Sequence, residues 1–242
     1  MSKLKAVIQA GGRGTRLAPY STVLPKALMP IGEGTVIDNM LKLFSEAGVS
    51  TVFITVSKFG PLIRSYCGDG SRWNIDIQYI DEDKPLGTIG PLSPIRDLFD
   101  GSFIVANSDI YIDLDIPALL ADHRSKGSLL TVVVIDQTVK IEYGVLDNVA
   151  GRVVGFREKP TERFCVSTGI YCMEPGIFDF IPRDVPFGFD ELIRSLLGSS
   201  TPVSAYPHPG QWIDIGRIED LRRAQEQAAS QILRSANAAA DE

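Results

Sequence analysis

From Ala6 to Ile135 the sequence alternates short, continuous apolar runs with segments of helical periodicity. That alternation leaves few folds open. Ala6 to Gln9, Thr51 to Val56 and Leu129 to Ile135 read as buried strands, and Ile75 to Ile80 and Phe103 to Ala106 as further strands. Val36, Ile37, Met40, Leu41 and Phe44 recur at helical spacing, with Thr35 as N-cap and Gly48 just past the end. Pro61 to Tyr66, Thr88 to Phe99 and Ile116 to Lys126 read as further helices. Strands that alternate with helices predict an α/β fold: a Rossmann-like, mostly parallel mixed sheet with helices on both faces. The second half breaks the rhythm. "YGVLDNVAGRVVGFREKP" reads as a β-hairpin elaboration turning near Asn148 to Gly151, and "VSTGIYCM" as another strand. Helices near Ile177 and Glu191, a strand near Val203 and a helix from Ile218 to about Leu233 follow. No repeat or linker interrupts, so residues 1–230 are expected to form a single domain, with 231–242 a frayed tail.

At 242 residues and 44% hydrophobic composition the chain can bury a sizeable core. A net charge of −6 without any Lys/Arg run argues against nucleic-acid binding. Any anionic ligand must be gripped by a local cluster of cations. Cys67, Cys165 and Cys172 are odd in number and contain no CxxC pair, which suggests neither a disulfide framework nor a zinc site. "MSKLK" lacks the apolar stretch of a signal peptide, and the longest apolar run, Leu129 to Ile135, is too short to cross a bilayer. The expectation is a cytoplasmic protein with no membrane partner.

Such a cluster stands at the start, in "AVIQAGGRGTRLAPYSTVLPKALMPIG". Its glycines follow a strand, so they lie at the carboxyl edge of the sheet, where open α/β folds bind ligands. Successive backbone N–H groups there can form an anion-binding concavity. A Walker P-loop is excluded, because GxxxxGK[ST] is absent. A dinucleotide fingerprint is excluded too, because Leu17 stands where a third Gly or Ala is needed.

"GGRGTRL" followed by Pro25-Lys26 resembles the signature of the sugar-phosphate nucleotidylyltransferases. The resemblance continues, in the family's order, through "PLGTIGPL" (85–92), "NSD" (107–109), "YGV" (143–145), "EKP" (158–160), "STGIY" (167–171) and "WIDIG" (212–216). It spans roughly residues 4–225 and is strongest to the short bacterial mannose- or heptose-1-phosphate guanylyltransferase-like members. The resemblance implies transfer of a nucleotidyl group from an NTP to a sugar 1-phosphate, with GTP the favoured donor and Mg²⁺ the cofactor. A homodimer or larger homo-oligomer is compatible with it. Two polyanions must meet, so cations and positioning matter more than acid–base groups. The scarcity of histidine, His123 and His208 alone, fits that requirement.

The resemblance assigns nucleotide contacts to Gln9, Ala10, Gly11, Gly12, Arg13, Gly14, Thr15, Arg16, Glu82, Gly87, Thr88 and Asn107. Arg16 would grip the phosphates, and Lys26 would reach the reacting phosphate. Asp109 and Asp214 match the two metal-binding carboxylates, although a lone Asp at a strand end is more often a cap. Ser108 departs from the family, which usually has Gly there. Lys159 would bind the sugar phosphate and Glu158 the sugar hydroxyls, with Lys26, Gly144, Thr168 and Gly169 beside them. Residues 1–135 would then serve the nucleotide and 136–216 the sugar phosphate. Trp73 and Trp212 read as packing residues. Three alternatives remain open: a thymidylyl- or uridylyltransferase acting on glucose 1-phosphate, a cytidylyltransferase with a non-sugar acceptor, and an inactive regulatory paralogue that binds NDP-sugar. The last would be expected to lose Arg16, Lys26, Asp109, Lys159 or Asp214. No left-handed β-helix repeats follow, so one activity is expected.

Overall fold

The computed structural model describes residues 3–12 and 14–240. Strand β1 (Lys5–Gln9) runs into the glycine loop, which leads through the two-residue strands β2 (Pro30–Ile31) and β3 (Gly34–Thr35) to helix α1 (Val36–Glu46). Then come β4 (Thr51–Val56), α2 (Gly60–Cys67), β5 (Asp76–Asp81), β6 (Phe103–Asn107), β7 (Ile110–Ile112) and α3 (Ile116–Lys126). The second half supplies β8 (Leu130–Lys140), β9 (Val145–Val149), β10 (Arg152–Arg157), β11 (Thr161–Met173), α4 (Phe189–Gly198), β12 (Val203–Pro207), β13 (Trp212–Asp214) and α5 (Ile218–Ala240). Helical backbone therefore extends into the stretch expected to fray.

Seven strands form the central sheet in the order β12-β8-β11-β6-β1-β4-β5. Pairs β1–β4, β1–β6, β4–β5 and β12–β8 are parallel, and β11 is antiparallel to both β6 and β8. The sheet is thus the mostly parallel, mixed one expected, with β11 its reversed strand. Strand order grows from β1 through β4 to β5, then returns to the other side of β1 with β6. That reversal makes a crevice beyond the carboxyl ends of β1, β4 and β6, the usual ligand position in such sheets.

Alternation along the strands sets the two faces of the core. Ala6, Ile8, Val52, Ile54, Ile104 and Ala106 join one cluster with α1, α2 and α3 residues. Val7, Phe53, Phe103 and Val105 point the other way, toward α4. There Phe103 stacks against Phe99 at 4.1 Å and Phe178 at 5.6 Å. Truncating a ring buried like this costs about 3–5 kcal/mol. Trp73 is buried in the first cluster and Trp212 packs against it.

Two helix expectations need correction. Residues Gly90–Leu98 and Pro175–Phe180 form 3₁₀ turns. Pro91 and Pro94 each remove a backbone N–H donor, and a proline ring clashes with the carbonyl one turn back, so an α-helical ladder cannot run through 90–98. Strands β8 and β11 are longer than the apolar runs suggested, because their outer halves pair with each other as a two-stranded extension. β9 and β10 add the expected hairpin. Ala150 and Gly151 take φ of +49° and +83° at its tip, as a tight primed turn demands, and the Asn148 side chain accepts the Gly151 N–H at 3.0 Å.

Candidate active site

Three strand ends meet at the crevice. Gln9 ends β1, Asn107 ends β6, and Ser57 follows β4. Around them lies a cavity of about 680 Å³ whose walls include Gln9, Ala10, Gly11, Gly12, Gly14 and Lys26 on one side. Glu82, Gly87, Thr88, Asn107 and Asp109 line the rest. Of the expected nucleotide residues, Arg13 lies outside the described residues, and Thr15 opens the 3₁₀ turn Thr15–Leu17 that follows the glycines.

The loop's glycines are functional in a steric sense at two positions. A Cβ on Gly11 would stand 2.7 Å from Cδ of Glu82. Gly14 has φ +61°, and its Cβ would meet Lys26 Cγ at 2.8 Å. The Ser57 hydroxyl donates to the Gly11 carbonyl at 2.7 Å, which anchors the loop to β4. Gln9 donates through its side-chain amide to the Thr88 carbonyl. Its Oε1 is buried without a partner among the described residues, an acceptor left for a ligand. Burial raises the Glu82 carboxyl above the ordinary glutamate value, opposed by the Thr55 hydroxyl.

The carboxylates come together through a separate ribbon. β7 and β13 pair antiparallel, with Asp214 opposite Ile110, and the Ile215 N–H donates to the Asp109 carbonyl at 2.8 Å. Apolar neighbours hold this ribbon in place. Ile110 and Ile112 are buried in the main core, while Ile213 and Ile215 pack with Leu17, Met29 and α5. Lys26 Nζ contacts Asp109 Oδ2 at 2.8 Å, with side chains only 13% and 20% exposed. Asp214 sits above the ordinary aspartate pKa because of burial and the charge of Asp109, with Lys26 and Arg16 pulling it back. The Arg16 guanidinium carbon lies 3.6 Å from where a Gly216 Cβ would be, which places it beside Asp214.

These two carboxylates fit a magnesium-like ion. They are hard oxygen donors, and their mutual repulsion is what a divalent cation relieves. Among the described residues no group of three His, Cys, Asp or Glu could hold a metal. Such an ion would therefore need oxygens from a phosphate and water to complete its shell, as Mg²⁺ commonly does.

The expected sugar-phosphate residues divide into two groups. Gly169 (φ +81°) marks an irregularity in β11 and lies against Asn107 and Ile110, and the Thr168 carbonyl accepts Trp212 Nε1 at 3.0 Å. Both therefore adjoin the carboxylate ribbon. Gly144, Glu158 and Lys159 stand at the base of the β9–β10 hairpin, and none of these five residues is in the cavity wall. There a Cβ on Gly144 would meet Glu158 Oε2 at 3.3 Å, and Lys159 is exposed with φ +42°. The sequence reading missed Ser57 and Lys58, which also line the cavity. Their one sequence signal was position, after "TVFITV" at the same sheet edge as the glycine loop, with no motif to mark them.

Residues 5–231 match the family described as nucleotidyl transferase. The chain belongs to that family. A UTP–glucose-1-phosphate uridylyltransferase of Synechocystis is 33% identical over 91% of this chain and 62% of its own length. The mannose-1-phosphate guanylyltransferase catalytic subunit beta of Dictyostelium discoideum is 32% identical over 90% of this chain and 62% of its own. The chain thus spans about three-fifths of the length of these curated relatives. The crystal structure of HddC from Yersinia pseudotuberculosis superimposes with a TM-score of 0.73 at 26% identity, covering 92% of this chain and 98% of that one. The same protein complexed with GMP-PN gives 0.71. The family's nucleotide-sugar transferase architecture is the one described above. Among the described residues, no helix is long and apolar enough to cross a membrane.

Proposed function

We propose that this chain transfers a nucleotidyl group from an NTP to a sugar 1-phosphate. A sugar-phosphate oxygen attacks the α-phosphorus in line, the bond to the bridging oxygen breaks, and pyrophosphate leaves with that electron pair. The attacking oxygen is already ionised at neutral pH, so no general base is required. The observation that carries this reading is the β7–β13 pairing, which sets Asp109 and Asp214 side by side with Lys26, at the mouth of the glycine loop. Mg²⁺ held by Asp109 and Asp214 would neutralise charge on the phosphates when bound.

The chain's own residues then have distinct tasks. Loop amides from Gly11 to Gly14 hold phosphate oxygens. Arg16 grips the leaving pyrophosphate with its planar fork, and Lys26 acts as a point charge near the α-phosphate. Lys159 and Glu158, with Gly144, Thr168 and Gly169, position the sugar phosphate. Residues 1–135 serve the donor and 136–216 the acceptor.

GTP is the proposed donor, and Glu82 supports it. An ionised carboxylate only accepts hydrogen bonds. Guanine presents two adjacent donors, N1–H and N2–H₂, on its Watson–Crick edge. Uracil and thymine present one N–H between two carbonyls, which a carboxylate repels. A mismatched polar edge leaves buried groups unpaired and is rejected strongly. A second reading, uridylyl transfer to glucose 1-phosphate, is favoured by the similarity to the Synechocystis enzyme. A matrix of NTPs against mannose, glucose and heptose 1-phosphates, read by pyrophosphate release, separates the two. A dominant UDP-sugar product would overturn the guanylyl assignment. No pyrophosphate from any pair would overturn the reaction itself.

A further inference from the structure

Beside Glu82 the cavity wall carries a cation that the reaction as described does not use. Lys58 lies two residues past the end of β4, after Ser57, and Glu82 directly follows β5. The two strands are parallel neighbours, with Val56 opposite Asp81, and the Glu82 N–H donates to the Val56 carbonyl at 2.8 Å. Lys58 and Glu82 therefore leave adjacent strand ends, and both line the cavity. Nearby carboxylates do not claim the lysine. Asp81 is held at both oxygens by Arg64 at 2.7 Å, and Lys58 makes no ion pair with any described residue. Its Nζ lies 4.9 Å from the Phe59 ring centroid, a cation–π contact that places the ammonium beside the cavity wall and engages no N–H donor in a conventional hydrogen bond.

We propose that Lys58 reads the donor base, donating to O6 of guanine while Glu82 accepts from N1–H and N2–H₂. This rests on the guanylyl reading above and names the residue that completes it. The three polar positions of guanine's edge run O6, N1, N2 in a line. A cation and a carboxylate on neighbouring strand ends match that order of acceptor, donor, donor. Adenine carries an amino group at the O6 position, and two donors would then face each other. Lysine to O6 is a common specific contact to guanine.

The test uses Lys58→Met, which keeps an unbranched side chain of similar bulk beside Phe59 and removes the charge, together with three donors. GTP has every group. 6-Thio-GTP keeps N1–H and N2–H₂ but carries a weak sulfur acceptor in place of O6. ITP keeps O6 and lacks the N2 amino group. The wild-type chain is expected to use both analogues about tenfold or more less efficiently than GTP, the worth of one charge-assisted hydrogen bond. In Lys58→Met the KM for GTP rises by that factor with kcat little changed, because the base is remote from the α-phosphorus. The 6-thio-GTP penalty disappears and the ITP penalty stays. Lys58→Arg restores the 6-thio-GTP penalty. If Lys58→Met still discriminates against 6-thio-GTP, or loses kcat alone, Lys58 does not read the base even though GTP is the donor. If the wild-type chain prefers UTP or dTTP, the guanylyl reading and this assignment fall together.

Discussion

Lys26 and Asp109 form an ion pair within the proposed reaction centre, and breaking it measures how that centre is held. The perturbation is Lys26→Met, which keeps the apolar stem that fills the space beside Gly14. At 2.8 Å and an effective dielectric near 20, the gross attraction is about 6 kcal/mol, most of it offset by desolvation. A charge-assisted hydrogen bond nets about 1.5–3 kcal/mol. Both side chains are mostly buried, so solvent screening removes little of this. The ligand-free protein should lose that amount, a drop in Tm of about 3–12 °C for a chain of this size. Sign and pH follow from Asp214. Its carboxyl is raised by burial and Asp109 and lowered by Lys26, so removing Lys26 raises it further. A carboxyl raised in the folded state binds more protons there than in the unfolded chain. Stability then grows as pH falls through the folded pKa and is lost as pH rises through it. The deficit should therefore be larger near pH 8 than near pH 5. The assay is a set of melts for wild type, Lys26→Met, Asp109→Asn and the double variant, with pyrophosphate release measured in parallel. A coupling energy below about 0.5 kcal/mol, or a deficit that grows on acidification, refutes the reasoning.

Asp214→Asn should raise the Tm of the ligand-free protein, because it removes a buried charge facing Asp109, while lowering turnover by about 10²-fold or more; unchanged turnover would remove Asp214 from the metal site. Gly11→Ala should raise the KM for the NTP by driving the Glu82 carboxylate out of place, and a wild-type KM would show that this carboxylate does not touch the donor. Lys159→Ala should raise the KM for the sugar phosphate far more than that for the NTP, so equal effects would contradict the division into donor and acceptor halves. Discrimination of GTP against UTP should narrow as pH falls, because a protonated Glu82, its carboxyl already raised by burial, becomes a donor as well as an acceptor and tolerates uracil's edge; a ratio independent of pH would argue against Glu82 as base reader.

The first half of the fold was legible because β1, β4 and β6 are buried on both faces and read as apolar runs, and because the edge strand β5 still alternates Ile77 and Tyr79 with polar residues. α3 was found at its true bounds, Ile116–Lys126, since both ends carry chemistry a sequence displays. Asp115 accepts the Ala118 N–H at 2.9 Å, and Gly127 takes a left-handed φ of +59°. Residues 90–98 were misread because the helix expected over Thr88 to Phe99 took no account of Pro91 and Pro94 within it. The outer halves of β8 and β11 were missed because exposed pairing needs no apolar pattern, as Gln137 opposite Phe164 illustrates. Lys58 and Ser57 went unnoticed for another reason. A lysine after a strand is ordinary in sequence, and only the folded chain shows that it shares a cavity wall with Glu82.

The hairpin poses the opposite problem: its sequence was clear and its surroundings are not explained by the chain alone. β9 and β10 pair only with each other, and Leu146 faces Phe156 across them. Tyr143 is 79% exposed and Phe156 61%, with Val149, Val153 and Val154 exposed as well. A two-stranded ribbon is marginal in water unless an apolar face is covered. Yet this ribbon carries Gly144, Glu158 and Lys159, the residues proposed to hold the acceptor. A site whose donor half is fixed by the buried sheet and whose acceptor half rides on a thin ribbon should bind its substrates in order. The proposed NTP donor would enter a cavity already formed. The sugar phosphate would also have to immobilise the ribbon, at lower cost once the donor's phosphates lie against Lys26. An ordered mechanism with the NTP first follows from this difference in rigidity. Product-inhibition kinetics test it, because pyrophosphate should then leave before the NDP-sugar and the NDP-sugar should compete with the NTP alone. Competition between the NDP-sugar and the sugar 1-phosphate would show that the ribbon is held in place before either substrate arrives.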